Sequence, residues 1–515
     1  MRRSLKKMMA VGLTAAMTVG SISFQGLSAN AAGLPTTDGH NKYVNSEVFN
    51  VISDDSFGTK ELENPLFDKT TGSSDISNLQ VPTLAYDDTS IALVWDKPEK
   101  YDNVADYNVY VNGTLDGTAR KNYEENAKWA DTYMKSFYEY YETNSDVDMV
   151  NVDIHSYRAT GLTPDTEYTF KVVAVDKDGK ELGTAKEISQ KTAVKPEEFN
   201  ILDYGAVATE GYTSYNDEVN ALVEKNTKAI QAAIDACTPG GKVVIPQAED
   251  GKVFVSGALW LKSDITVELD GTLWASPNSD HFEIGFLMYP FYTDTRGWGL
   301  LNATSADENA PLENIRITGN GTLYGNGWKY GAGDKMYEDG YTSNTGVNTQ
   351  AGDPSDTENY GLPRYMGGSN TKVYYYGIQA ADSAKKYLAN LTNEDGSRKY
   401  SDELIDSLSG YIEKDLADNG KVDKNGKDKF IDVETGNNAG IEKADITNAY
   451  ATRSSLLIMR NVSNVYVGDI TVENPANHSV NILDSRNIST ENVKVFSYDG
   501  NNGDGLGFGC SQNVI

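Results

Sequence analysis

Residues 264–273 read Asp-Ile-Thr-Val-Glu-Leu-Asp-Gly-Thr-Leu, and residues 314–323, fifty positions later, read Asn-Ile-Arg-Ile-Thr-Gly-Asn-Gly-Thr-Leu. Each copy opens on a polar turn residue, alternates apolar with polar, turns at Gly, and resumes with Thr-Leu. Strict alternation places one set of side chains inward and the other toward solvent, the signature of a half-buried strand. The unit returns as Asn464-Val465-Tyr466-Val467, then as Asn487-Ile488 twenty-three residues on, with Asn492-Val493-Lys494-Val495 just beyond and Asn513-Val514-Ile515 starting again. Short strands with Asn at the turns, repeating every twenty-odd residues, predict a stacked coil. One coil cannot bury its apolar face alone, so it stacks on its neighbours. The expected architecture is all-β, a right-handed parallel β-helix over 196–515.

Working toward the N-terminus, Asn226 to Cys237 carries apolar residues at helical spacing and is stopped by Pro239-Gly240-Gly241. That helix is placed to cover the first coil, where open strand edges invite pairing with other chains. Upstream, Ser90 to Trp95, Tyr107 to Val111 and Tyr168 to Val175 alternate, and the last two end at the turn pairs Asn112-Gly113 and Asp178-Gly179. The run Gly161-Leu162-Thr163-Pro164-Asp165-Thr166-Glu167-Tyr168 and the early Trp95 resemble the tyrosine-corner segment and buried tryptophan of fibronectin type III domains. A β-sandwich is therefore expected at 79–194, with an inserted helix in the aromatic segment Asn122 to Asn144. Residues 32–78, rich in Asp, Ser, Thr, Asn and Gly, read as a linker or arm. Residues 331–450 break the repeat and read as a lobe with a helical region near Ala381 to Leu416.

The chain holds 515 residues, with 75 Asp+Glu against 45 Lys+Arg, a formal net charge of −30. That balance opposes a nucleic-acid binder, which would carry a basic footprint. Two cysteines are too few for a disulfide scaffold or a four-cysteine zinc site. Their positions, Cys237 and Cys510, at opposite ends of the repeat, predict two small buried thiols rather than a bridge. Arg2, Arg3, Lys6 and Lys7, an apolar run over 8–24 and Ala29-Asn30-Ala31 follow the order of a secretory signal peptide. Residues 1–31 are expected to be removed, leaving a secreted, extracellular chain with no membrane attachment.

From Phe199 onward the chain resembles the polygalacturonase family of glycoside hydrolases. The residues that carry the resemblance are FNILDYGA (199–206), NTKAIQAAIDAC with PGGKVVIP (226–246), GALWLKSDITVELDGTL (257–273), ITGNGTLYGNGW (317–328) and NNGDGLGFG (501–509). With a fibronectin-like module in front, it looks most like the bacterial exo-acting members. The resemblance implies inverting hydrolysis of pectin or polygalacturonate by a monomer without a cofactor. One carboxylic acid protonates the leaving oxygen while carboxylates about 6.5–9.5 Å away activate water. The family's Asn-Thr-Asp motif maps onto Asn502-Gly503-Asp504, making Asp504 a water-activating carboxylate and Asn502 an orienting residue. Gly503 in place of Thr departs from the motif but removes no carboxylate. The family's Asp-Asp, Gly-His-Gly and Arg-x-Lys motifs do not occur between Asp504 and Ile515. The expectation is an N-terminal portion of a longer enzyme, inactive alone.

Other candidates carry plainer readings. Arg296, Trp298 and Trp328 near coil turns, and His478 on the last coils, are candidates for lining a sugar cleft, although core packing suits the tryptophans. The four histidines, His40, His155, His281 and His478, show no metal spacing, and Asp423 to Asp428 lacks the glycine a calcium loop needs at its sixth position. No metal is expected. A calcium-dependent pectate lyase and a non-catalytic β-helix adhesin or carbohydrate-binding surface protein are the competing readings.

Overall fold

The computed structural model describes residues 72–126, 154–288, 295–307, 309–327, 371–372, 378–406, 431–432, 441–497 and 503–515. The expected signal segment, most of the 32–78 arm, most of the 122–144 insertion and much of the 331–450 lobe lie outside them, as do Asn502 and Trp328.

The first body is an antiparallel sandwich. Ile91–Val94 pairs with Ser156–Ala159, facing a four-stranded sheet ordered Thr114–Thr118, Asp106–Val111, Glu167–Val175 and Glu181–Lys191. Alternation drives it: Leu93, Val109, Phe170 and Val172 point inward and are fully buried. Each such side chain stabilises the fold by about 1.5–3 kcal/mol relative to exposure. Trp95 packs edge-on against Tyr107 with ring centroids 5.2 Å apart. Asn112 and Gly113, with φ of 48° and 80°, make the tight hairpin their pairing predicts. Tyr168 closes the corner by accepting a hydrogen bond at its hydroxyl from the Thr163 amide, 2.8 Å away.

The boundary differs from expectation. Ile76 is 6% exposed and joins the sandwich core with Leu79, and its amide donates to the Thr184 carbonyl at 3.0 Å. The end of the expected arm is therefore sandwich, because the lone Ile76 in an otherwise polar stretch shows no alternation to betray burial. Helix α1 (Ala119–Asn126) is the described start of the insertion.

The second body is a coil of three parallel sheets. The first stacks Glu198–Asn200, Gly241–Ile245, Ile265–Leu269, Leu312–Gly319, Val462–Gly468, Arg486–Glu491 and Gln512–Val514. The second stacks Phe254–Ser256, Thr272–Ala275, Thr322–Tyr324, Thr471–Glu473 and Lys494–Phe496, and the third Leu259–Trp260, Leu301–Thr304, Leu457–Arg460, Val480–Leu483 and Leu506–Gly509. Ile265 lies opposite Ile315, so the fifty-residue offset of the two quoted stretches is the coil register itself. Ile315 lies opposite Val465, and Val465 opposite Ile488. These inward residues form one aliphatic column.

The turns into the first sheet are held by a ladder of amides. Asn314 Nδ2 donates to Asp264 Oδ1 at 2.7 Å, Asn464 to Asn314 at 2.9 Å, Asn487 to Asn464 at 3.0 Å and Asn513 to Asn487 at 3.0 Å. All five residues have φ between 55° and 60°. Asn and Asp tolerate this left-handed conformation better than other side chains, and an amide both donates and accepts, so it can link coil to coil.

Helix α2 (Asp217–Ala236) covers the open end. The Asn216 side chain caps it by accepting from the Val219 amide, and Ala229, Ile230, Ala233 and Ile234 turn inward onto the core. No helix among the described residues is long and apolar enough to cross a membrane.

The sandwich sits on the outer face of the first sheet. Tyr466, fully buried, contacts Ala85 and Ala92 of the sandwich. Arg158 of the sandwich donates through Nε to Glu491 Oε1 at 3.1 Å and through Nη1 to Ser90 at 2.9 Å, and its Nη2 reaches the Tyr466 hydroxyl and Glu491 Oε2. Arg316 lies with its guanidinium 5.0 Å from the Tyr466 ring centroid and 3.8 Å from Asp87 of the sandwich.

Candidate active site

Every long excursion among the described coils leaves at one corner, the passage from the second sheet to the third. Residues 276–300 lie between Thr272–Ala275 and Leu301–Thr304, and residues 325–456 between Thr322–Tyr324 and Leu457–Arg460. Residues 474–479 and 497–505 make the same passage in the next two coils. The first excursion contains a hairpin, Ile284–Phe286 paired with Arg296–Gly297. The second contains α3 (Gln379–Ala389) and α4 (Lys443–Ala451), where a lobe is expected.

Helix α3 is anchored at this corner. The amides of Ile378 and Gln379 donate to Gly327 and Asn326 carbonyls, and the Gln379 side chain donates to Ser454. Lys386 forms ion pairs with Asp280 at 2.8 Å and Asp382 at 2.9 Å, and Asp382 also accepts from the Ser279 amide and hydroxyl.

Asp504 stands at the same corner. Val480 lies opposite Leu506, so His478 and Asp504, each two residues ahead of its strand, occupy neighbouring coils in the same column. The ladder extends to them: Ser479 N donates to Asp504 O at 2.8 Å, and Leu456 N to His478 O at 3.2 Å. Asp504 Oδ2 is 3.4 Å from His478 Nδ1. The carboxylate side chain is 64% exposed and the imidazole 9%. The turn carrying Asp504 is braced from within by the Ser497 hydroxyl, which donates to the Gly503 carbonyl.

Burial pushes the His478 imidazole down to about 4, with the guanidinium groups of Arg296 and Arg453 acting in the same direction and the Asp504 carboxylate against it. His478 is therefore neutral near pH 7. Arg453, buried, donates to the Ala476 carbonyl at 3.0 Å. Nothing in the sequence around Arg453 sets it apart; it enters the site through coil stacking alone. Ser455, the coil neighbour below His478, accepts from Asn481 at 2.9 Å.

The other sequence candidates separate. Arg296 is half-buried on its hairpin, close enough to act electrostatically on His478. Trp298 packs against Trp260 at 4.9 Å and Phe286 at 5.3 Å, an arrangement of the packing kind. His478 is too enclosed to offer substrate a broad surface. Cys237 is buried and Cys510 is exposed, both as free thiols, so the expectation of two buried thiols fails for Cys510. Cys510 lies in a turn between strands at φ 52°, where its side chain points away from the core. Among the described residues no group of three or more His, Cys, Asp or Glu side chains gathers as a metal site would require.

The family model described as "Fibronectin type III domain" matches residues 74–191. The chain is 32% identical over 441 residues to the exo-poly-alpha-D-galacturonosidase of Dickeya chrysanthemi, covering 85% of this chain and 58% of that protein. Among solved structures, the family 28 exopolygalacturonase of Yersinia enterocolitica is 33% identical with a TM-score of 0.59, covering 85% of this chain and 63% of that one. The chain thus spans about three-fifths of the length of these relatives. A coil of parallel sheets behind a fibronectin type III domain is thus similar in sequence to both of these polygalacturonase-family glycoside hydrolases and, in three dimensions, to the Yersinia enterocolitica enzyme.

Proposed function

We propose that the protein hydrolyses the α-1,4-galacturonosidic bonds of polygalacturonate and pectin, from a chain end, with inversion. The observation that carries the reading is Asp504: an exposed carboxylate, at the position of the family's first motif, on the corner from which the hairpin and the two lobe helices emerge. A carboxylate there suits activation of water, and the general acid must stand far enough away to admit that water, about 6.5–9.5 Å. Arg296 and Arg453 supply positive charge around His478, the coil neighbour of Asp504, in a chain whose net charge is −30. Long-range repulsion of a polyanion is screened beyond about 8 Å at physiological salt, so these local charges matter more than the total. The exo reading follows the printed names of the two relatives, and the excursions on one side of Asp504 suit a cleft closed at one end.

The protein acts outside the cell as a monomer, after removal of residues 1–31. N-terminal sequencing of the secreted product checks the cleavage, and sedimentation the monomer.

Incubation with polygalacturonate tests the activity. Short saccharides as the first products support exo hydrolysis, and a ladder of long oligomers refutes it. Asp504→Asn should lower turnover by about 10²–10⁴-fold. An unchanged rate would remove Asp504 from the reaction.

A further inference from the structure

We infer that His478 is a positioning residue for Asp504, holding the carboxylate from the coil below rather than touching substrate. The inference rests on the reading of Asp504 as the water-activating group, and adds a function for a histidine that reading leaves unused.

Three observations support it. First, the two residues are in register on adjacent coils, which the Ser479–Asp504 and Val480–Gly505 backbone bonds tie together, so their separation is set by strand spacing and not by loop choice. Second, the imidazole is 9% exposed and the carboxylate 64%, so the ring is a floor and the acid is the reachable group. Third, the atoms that face each other are Nδ1 and Oδ2, 3.4 Å apart, within ion-pair range and slightly long for a hydrogen bond. A neutral imidazole presents either a donor or a lone pair at Nδ1. A lone pair facing a carboxylate oxygen is repulsive, so the arrangement selects the Nδ1–H tautomer. The charged neighbours acting on His478 are Asp504, Arg296 and Arg453. The two guanidinium groups oppose protonation of the ring, which leaves it a neutral donor instead of a counter-ion. A neutral donor fixes the direction of the Asp504 carboxylate without cancelling its charge. Such a base stays available to accept a proton from water.

The test is ¹⁵N NMR of the His478 ring in the whole protein, assigned by H478N: a protonated Nδ1 at pH 7 supports the inference, and a protonated Nε2 with bare Nδ1 overturns it. Turnover of oligogalacturonate should show kcat lowered about 10–100-fold at similar KM in H478A, and H478N, which keeps a donor, should restore most of it. An unchanged kcat in a folded H478A would overturn the inference, and if H478A does not fold the ring spectra of wild type decide. A protonated Nδ1 with no hydrolysis of any galacturonide would support the positioning while sinking the hydrolase reading, so the two fail separately.

Discussion

The guanidinium of Arg158 in the fibronectin type III domain donates to the carboxylate of Glu491 in the β-helix, 333 residues further along the chain, at 3.1 Å. Their side chains are 10% and 27% exposed. The contact joins Tyr466 and, through Asp87 and Arg316, spans three successive strands of the first sheet. Arg316 and Tyr466 are lateral partners although the lobe lies between them in sequence. The sandwich therefore braces the coils on both sides of the insertion.

Breaking that pair should be costly, because removing one partner strands a charge in a largely dry interface. Arg158→Met is expected to lower stability by about 3 kcal/mol. A double-mutant cycle with Glu491→Gln, followed by urea unfolding, measures the coupling. Strictly additive effects would mean the two bodies are joined elsewhere.

The amide ladder makes a graded prediction. Asn464 donates to Asn314 and accepts from Asn487 at φ 60°. Asn464→Ala loses both bonds and keeps a strained backbone, costing roughly 2–4 kcal/mol. Asn464→Gly loses the bonds but relieves the strain, and should cost less. Equal losses in chemical denaturation would remove φ from the explanation.

Trp298 tests packing against sugar binding. Its ring meets Trp260 and Phe286, so Trp298→Ala should destabilise by about 2–4 kcal/mol. KM for polygalacturonate should change little. A raised KM with unaltered melting would return Trp298 to the cleft.

His478 also gives the fold a pH dependence. Its imidazole is held down at about 4, against an ordinary value of 6.5. Between those values the unfolded chain binds a proton that the folded one does not, so stability falls as pH drops from about 6.5 to 4. The loss amounts to at most ~3 kcal/mol. His478→Asn should flatten this part of the pH–stability curve, and an unchanged slope would assign it to other groups.

What could be read in sequence was governed by local rules. Ile265, Val267 and Leu269 face the core because strand side chains alternate, and Asn464 and Asn487 mark turns because few residues accept positive φ. The capping helix announced itself by spacing, though it begins at Asp217, about nine residues ahead of the stretch with clear periodicity. Asp504 was a candidate through its motif, whereas the burial of Ile76 and the exposure of Cys510 were not legible, since isolated residues carry no period.

The sequence by itself determined the coil and the sandwich, for backbone conformation and side-chain alternation are properties of a few adjacent residues. Only the tertiary structure decided which residues meet. His478 comes under Asp504 and Arg453 comes near His478, because each turn of a coil returns the chain to a neighbouring strand whatever the length of the excursion between, and Arg158 finds Glu491 where the sandwich docks on the first sheet. An insertion that erases the period along the chain leaves the inter-strand spacing unchanged, and that spacing brings these groups together.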